Sequence, residues 1–331
     1  VVQKTVSLLG LQDALALSEP SLLNRIKHGH LVEVWEAQWT PGMPEDLKCI
    51  TFTMPFYGEG SLNSVLESRR SLPLRQAMRI AEQLLKALHH LHVDQRILHR
   101  DIKPGNVFLD DGCSSAYLGD LGNAARMDEM GEADPQGGSR LYRPPELATR
   151  RYGIAGDIYS MGFTFLELFG GALDYGALNN DDVARRLDRG ERAVPDRYFR
   201  LGPPSPTSLD RLVQAMTSKD PRRRPNSAAE TLRQLQAVNY VDWQPTEDVA
   251  RREGFWPPTN PRVVVSVEEK VLRSGPDAGL VELSVRHRTL EGSAWRRVSQ
   301  LSRRISPSDQ RARQATYDAI VAFCAKRWAV R

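Results

Sequence analysis

The chain has 331 residues, 40% of them hydrophobic and 26% charged, with a formal net charge of +4. Those proportions fit an ordinary water-soluble folded protein and exclude collagen-like and low-complexity chains. The longest apolar stretches, Phe163–Phe169 and Val263–Val267, fall far short of the roughly 20 residues that cross a bilayer.

Cys49, Cys113 and Cys324 are odd in number and scattered. They suit reduced thiols packed as small apolar groups better than a disulfide framework or a zinc site. With no leader segment ahead of the first strand, a cytoplasmic location is expected. The charge is uneven, since residues 251–331 hold 16 Lys+Arg against 8 Asp+Glu, net +8, and residues 1–250 hold 29 against 33, net −4. A solvated basic face is the plainer account of that tail, ahead of an acidic partner, a nucleic acid or a membrane surface.

Taken in order, Val1-Val2-Gln3-Lys4 reads as a strand and Leu8 to Ile26 as an amphipathic segment, followed by His28-Gly29-His30-Leu31-Val32. The run from Ile50 to Leu62 alternates apolar residues and ends in glycines, as a strand entering a turn does. Ala77, Ile80, Ala81, Leu84, Leu85, Leu88 and Leu91 recur at helical spacing, which predicts a core-facing helix over Leu74–Leu91. His89, His90 and His92 read as surface groups at its end, not as metal ligands. Val107-Phe108-Leu109 and Ala116-Tyr117-Leu118 flank an Asp110-Asp111-Gly112 turn, a hairpin signal. Helices are expected over Ile158–Phe169, Leu209–Met216 and Ala228–Val238, then a Trp/Pro-rich linker, two strands over Arg262–Arg273 and Gly279–Thr289, and a helix over Pro307–Trp328.

The chemistry concentrates in Leu98-His99-Arg100-Asp101-Ile102-Lys103-Pro104-Gly105-Asn106. A carboxylate, an ammonium and an amide fall within a few residues of one another on a turn. Phosphoryl transfer asks for those groups: an acceptor to orient the attacking hydroxyl, a cation near the developing charge, and oxygen ligands for magnesium. Downstream follow Asp120-Leu121-Gly122, then Gly138-Ser139-Arg140-Leu141-Tyr142-Arg143-Pro144-Pro145-Glu146, then Asp157-Ile158-Tyr159-Ser160-Met161-Gly162, then Asp220-Pro221 and Arg224-Pro225.

In order and spacing these motifs resemble the catalytic domain of eukaryotic-like serine/threonine protein kinases. The resemblance implies that Asp101 orients the acceptor hydroxyl, that Lys103 stabilises the developing charge, and that Asn106 and Asp120 hold Mg2+. Lys4, paired with Glu19, would place the phosphates of ATP. Met54 would be the gatekeeper of the hinge, Pro55 would offer its carbonyl and Tyr57 its N–H to adenine, and Phe108 would floor the adenine site. Ser139 would bridge Asp101 and Lys103, Glu146 would pair with Arg224, and Asp157 would cap main-chain N–H groups of the catalytic loop. The segment Asn123–Gly138 contains no Ser, Thr or Tyr but has Asp128, Glu129, Glu132 and Asp134. An acidic side chain there would replace the phosphate that Arg100 normally receives.

The expectation is therefore an α+β, bilobal protein kinase-like fold over residues 1–240, with a truncated N-lobe sheet and hinge in 1–57 and a mainly helical C-lobe in 58–240. Residues 241–260 would be a linker and residues 261–331 a small basic ββα-like extension, in which Arg296, Arg297, Arg303 and Arg304 face solvent or an acidic partner. Ahead of Lys4 there is no room for the Gly-rich strand–turn–strand that covers the phosphates in that family, so a fragment or a degenerate member is expected. The favoured function is transfer of the ATP γ-phosphoryl to Ser/Thr hydroxyls of a protein substrate; the alternative is a pseudokinase or kinase-like scaffold that binds partners without efficient transfer. A kinase of small molecules fits less well, because Pro144-Pro145-Glu146 shapes a peptide platform in the protein kinases.

Overall fold

The computed structural model describes residues 1–7, 24–42, 49–69, 72–135, 138–148, 151–244 and 250–328. It divides into two compact units, one of residues 1–72, 79–200 and 212–236, the other of 73–78, 201–211 and 237–331. Together they give the mixed α+β architecture expected.

The first unit opens with β1 (Val2–Ser7), β2 (Trp35–Trp39) and β3 (Cys49–Met54), an antiparallel sheet in the order β1-β3-β2. Pairing β1 to β3 sets Lys4 opposite Phe52. The chain turns through Pro55–Gly58 into β4 (Gly60–Ser61) and α1 (Leu62–Arg69). Helix α2 (Leu74–Val93) buries the apolar stripe read from its sequence, with Ile80, Ala81, Leu84, Leu85, Leu88 and Leu91 all shut off from solvent. Next come β5 (Ile97–Leu98), a single 3-10 turn at Pro104–Asn106, and the hairpin of β6 (Val107–Leu109) and β7 (Ala116–Leu118), which pairs through β6 with β4. Strands β8 (Ala125–Arg126), β9 (Glu132–Ala133) and β10 (Tyr152–Gly153) are two-residue ties: β8 pairs with β5, and β9 with β10.

Helix α3 (Ile154–Gly170) is the axis of this unit and is apolar on all sides, with Ile158, Tyr159, Met161, Phe163 and Phe165 fully buried. A helix with so little polar surface must be surrounded. It starts one turn earlier than its apolar run suggests, so Asp157 lies inside its first turn. After it come α4 (Asn180–Asp188), α5 (Thr207–Met216) and α6 (Ala228–Gln236).

The second unit is built on an antiparallel sheet of β11 (Asp242–Gln244), β12 (Arg251–Trp256), β13 (Val263–Val271), β14 (Val281–Thr289), β15 (Arg296–Arg297) and β16 (Arg303–Ile305), with helix α7 (Gln310–Arg327) packed on one face. Its core joins Trp243, Trp256, Val263, Val265, Val267 and Val285 of the sheet to Tyr317, Ile320 and Cys324 of the helix. Residues 241–260 are thus not simply a linker, because β11 and β12 within them are paired members of the sheet. The ββα expectation names only its middle two strands and its helix. All three cysteines are buried and unbridged, and among the described residues no helix is long and apolar enough to cross a membrane.

Candidate active site

The segment His99–Asn106 is held from below by Asp157. This carboxylate, with no solvent exposure, accepts hydrogen bonds from His99 N at 2.8 Å, Arg100 N at 2.9 Å, Tyr152 OH at 2.9 Å and shares one with His92 Nε2 at 2.8 Å. Burial alone would raise its pKa, but the bond to His92, the neighbouring rings of His92 and His99 and the Arg100 N–H hold it below the usual carboxylate value. His92 is therefore not the surface group its place at a helix end suggested. It is buried, and its partner is the carboxylate that tethers the loop.

Anchored this way, the loop presents Asp101, a buried residue whose carboxylate takes four donors. Ser139 N reaches Oδ1 at 2.8 Å, while Lys103 Nζ, Asn106 Nδ2 and Asn123 Nδ2 reach Oδ2 at 2.9, 3.1 and 3.3 Å. Burial pushes the Asp101 pKa up, and the bonds from Lys103 and Ser139 outweigh it, so the group stays ionised at neutral pH. Lys103 Nζ also donates to Ser139 Oγ at 2.6 Å, so Ser139 touches the ammonium through its hydroxyl and the carboxylate through its N–H. Gly138, just before it, has φ +77°, and a Cβ there would lie 2.3 Å from Arg100 O. Only glycine lets Ser139 come this close.

Asn106 donates through Nδ2 to both Asp101 O, at 2.7 Å, and Asp101 Oδ2. Its amide oxygen is then the atom available to a cation. The hairpin returns to it, Gly119 N donating to Asn106 O at 2.9 Å, so that Asp120 follows within one residue. Asp120 adopts φ 62° and Arg100 φ 63°, both in the left-handed region that non-glycine residues seldom occupy. Lys4 Nζ lies 3.1 Å from Asp120 Oδ2, so the first strand brings its ammonium to the same cleft. Glu19, the partner expected for Lys4, lies outside the described residues. A carboxylate and an amide oxygen are hard ligands of the kind Mg2+ takes, and Mg2+ completes its shell with water and phosphate oxygens.

Met54 ends β3 buried, with Pro55 half-buried behind it and Tyr57 packed on Phe108, ring centroids 5.5 Å apart. Gly119 keeps the adjoining wall thin, since a Cβ there would strike Val32 Cγ2 at 2.6 Å. Glu146 and Arg224 form a two-pronged pair, Nη1 to Oε1 at 2.5 Å and Nη2 to Oε2 at 2.7 Å. Arg100 donates to main-chain carbonyls at both ends of the acidic segment, Asn123 O at 2.6 Å and Asp134 O at 2.8 Å. Two of the acidic residues, Asp128 and Asp134, lie against Arg151, at 2.8 and 3.7 Å.

Asn123 and Arg151 escaped sequence reasoning. An asparagine directly after Asp120-Leu121-Gly122 was a visible signal, because its amide can reach whatever the preceding turn faces. Arg151 had no local signal.

A family model described as the protein kinase domain matches residues 2–240, and the chain belongs to that family. Among its curated relatives, serine/threonine-protein kinase ULK3 of Mus musculus is 30% identical over 210 residues, 63% of this chain and 42% of that protein. Probable serine/threonine-protein kinase WNK5 of Oryza sativa subsp. japonica is 30% identical over 222 residues, 65% of this chain and 63% of that protein. The membrane-associated tyrosine- and threonine-specific cdc2-inhibitory kinase wee-1.3 of Caenorhabditis briggsae is 33% identical over 172 residues, 52% of this chain and 25% of that protein. The chain spans less than two thirds of the length of each of these relatives.

Proposed function

We propose that this chain is a serine/threonine protein kinase that transfers the γ-phosphoryl group of ATP to a hydroxyl of a protein substrate. The observation that carries the reading is the placing of Lys103 Nζ between Asp101 Oδ2 and Ser139 Oγ, at 2.9 and 2.6 Å. In the transfer, the bond between the γ-phosphorus and the β,γ-bridging oxygen breaks as a bond forms to the acceptor oxygen, and the hydroxyl proton passes to Asp101. Asp101 orients that hydroxyl, and Lys103 faces the charge that develops on the transferred group. Asn106 and Asp120 are the residues that would hold Mg2+, whose part is to neutralise phosphate charge. Lys4 is in reach of the same cleft to contact phosphate oxygens, and Met54, Pro55, Tyr57 and Phe108 line the place for adenine.

The test is transfer of labelled γ-phosphate from Mg-ATP to a generic protein substrate, followed by identification of the modified residue. Label on serine or threonine, lost by about 10²–10⁴-fold in Asp101→Asn, the range of a positioned base, is the expected result. Nucleotide binding with no transfer above the Asp101→Asn level would leave the scaffold reading in its place.

A further inference from the structure

Beside Ser139 the chain forms a second concavity. Arg140, Arg143, Pro144 and Leu147 make one wall of it and Leu187 and Asp188, at the end of α4, the other; its volume is about 320 Å³. That is the small end of the range for ligand pockets, and it suits one side chain better than a folded surface. Arg143, Pro144 and Leu147 also border the small gap beside Asp101 and Ser139, so one wall serves both places. A chain whose hydroxyl lies at Asp101 can lay a neighbouring residue along that shared wall.

The charges of the groove define what it would accept. Arg140 is exposed, and Arg143 is half-buried and fixed by a bond from Nη2 to Gly138 O at 3.3 Å. Two guanidinium groups over an apolar floor of proline and leucine fit a carboxylate on a short aliphatic stem, since arginine's fork matches carboxylate oxygens. Asp188, on the opposite rim, repels a second negative charge. We propose that the groove seats a single aspartate or glutamate side chain of the protein substrate, next to the residue that receives the phosphoryl group. The inference rests on the transfer reading above and adds the substrate class to it.

The experiment uses the full chain and serine peptides identical except for one residue, Asp, Ala, Lys or phosphoserine, placed in turn at each of the three positions on either side of the serine. Binding is followed by fluorescence anisotropy and transfer by kcat/KM. At one flanking position the Asp peptide should exceed the Lys peptide by about ten-fold or more, as expected of a hydrogen bond to a charged group. Arg140→Glu should reverse that order at the same position. The same ranking in both proteins, a wild-type preference for lysine, or phosphoserine bound ahead of aspartate would overturn the proposal. Selective binding of the Asp peptide without transfer would uphold the groove and defeat the transfer reading, so the two fail separately.

Discussion

Replacing Asp157 with alanine removes the acceptor shared by His92 Nε2, His99 N, Arg100 N and Tyr152 OH, all within 2.9 Å of it in the closed interior. A buried donor left without a partner costs about 1–3 kcal/mol. Two main-chain N–H groups and the His92 ring cannot turn elsewhere, His92 because its other ring nitrogen is buried without a partner, whereas the Tyr152 hydroxyl has Ser160 within reach. The gross loss is then about 3–9 kcal/mol. Relaxation brings it toward the ~3–5 kcal/mol found when one partner of a buried pair is removed. With a urea slope of about 2–3 kcal/mol/M, the unfolding midpoint should fall by about 1–2 M. The pH dependence has a definite sign. Because the folded-state pKa of Asp157 is depressed, its contribution is present above the unfolded carboxylate value of about 3.9 and is lost as pH falls through the lower folded value. The gap between wild type and Asp157→Ala should therefore be widest near neutrality and narrow below about pH 4. A loss under about 1 kcal/mol, or a gap that stays constant into acid, would refute the reasoning.

Glu146→Ala leaves the Arg224 side chain, 0% exposed, with the carbonyls of Ser218 and Ala155 in place of its carboxylate; a loss of about 3–5 kcal/mol by denaturant titration is expected. Gly138→Ala sets a methyl 2.3 Å from Arg100 O, so kcat should drop by ten-fold or more as Ser139 is pushed off Lys103, and a kcat within two-fold of wild type would contradict that placing. Glu167 meets the hydroxyls of Tyr142 and Tyr175, which also meet each other at 2.6 Å. Both hydroxyls donate to the Glu167 carboxyl, yet burial outweighs them and raises its pKa. A raised carboxyl loses its contribution as pH climbs through the folded value, so Glu167→Gln, which stays neutral, should match wild type within about 1 kcal/mol at acid pH and overtake it as pH rises. Steeper loss in the Gln variant would show the group to be ionised.

Helix α2 was legible because its apolar stripe decides both its existence and its buried face, and the loop at 98–106 because its residue types serve chemistry and have few substitutes. Strand β12 was not. Its sequence Arg251-Arg252-Glu253-Gly254-Phe255-Trp256 reads as polar and broken by glycine, yet a Cβ at Gly254 would lie 2.8 Å from the Trp243 ring and 2.5 Å from Val241 Cγ1. The glycine that looks like a breaker makes room for the tryptophan of the neighbouring strand. Some long-range contacts were equally hidden. Asp120 stood out through the motif it opens, but its contact with Lys4, 116 residues away, had no signal. His92 looked like a helix-end surface group because its burial depends on α3, which reaches it from a distant part of the chain.

The left-handed backbone at Arg100 and Asp120 sets stability against activity. Glycine at either position would relieve a conformation costing of order 1–3 kcal/mol, and would delete the guanidinium that joins Asn123 O to Asp134 O or the carboxylate that meets Lys4. At Arg100 the relief is offset by two carbonyls left without their donor, about 1–3 kcal/mol each, so a library sorted only for survival of heating would enrich glycine at Asp120, where the partly exposed pair with Lys4 is worth little, and would discard the acid that the proposed transfer needs.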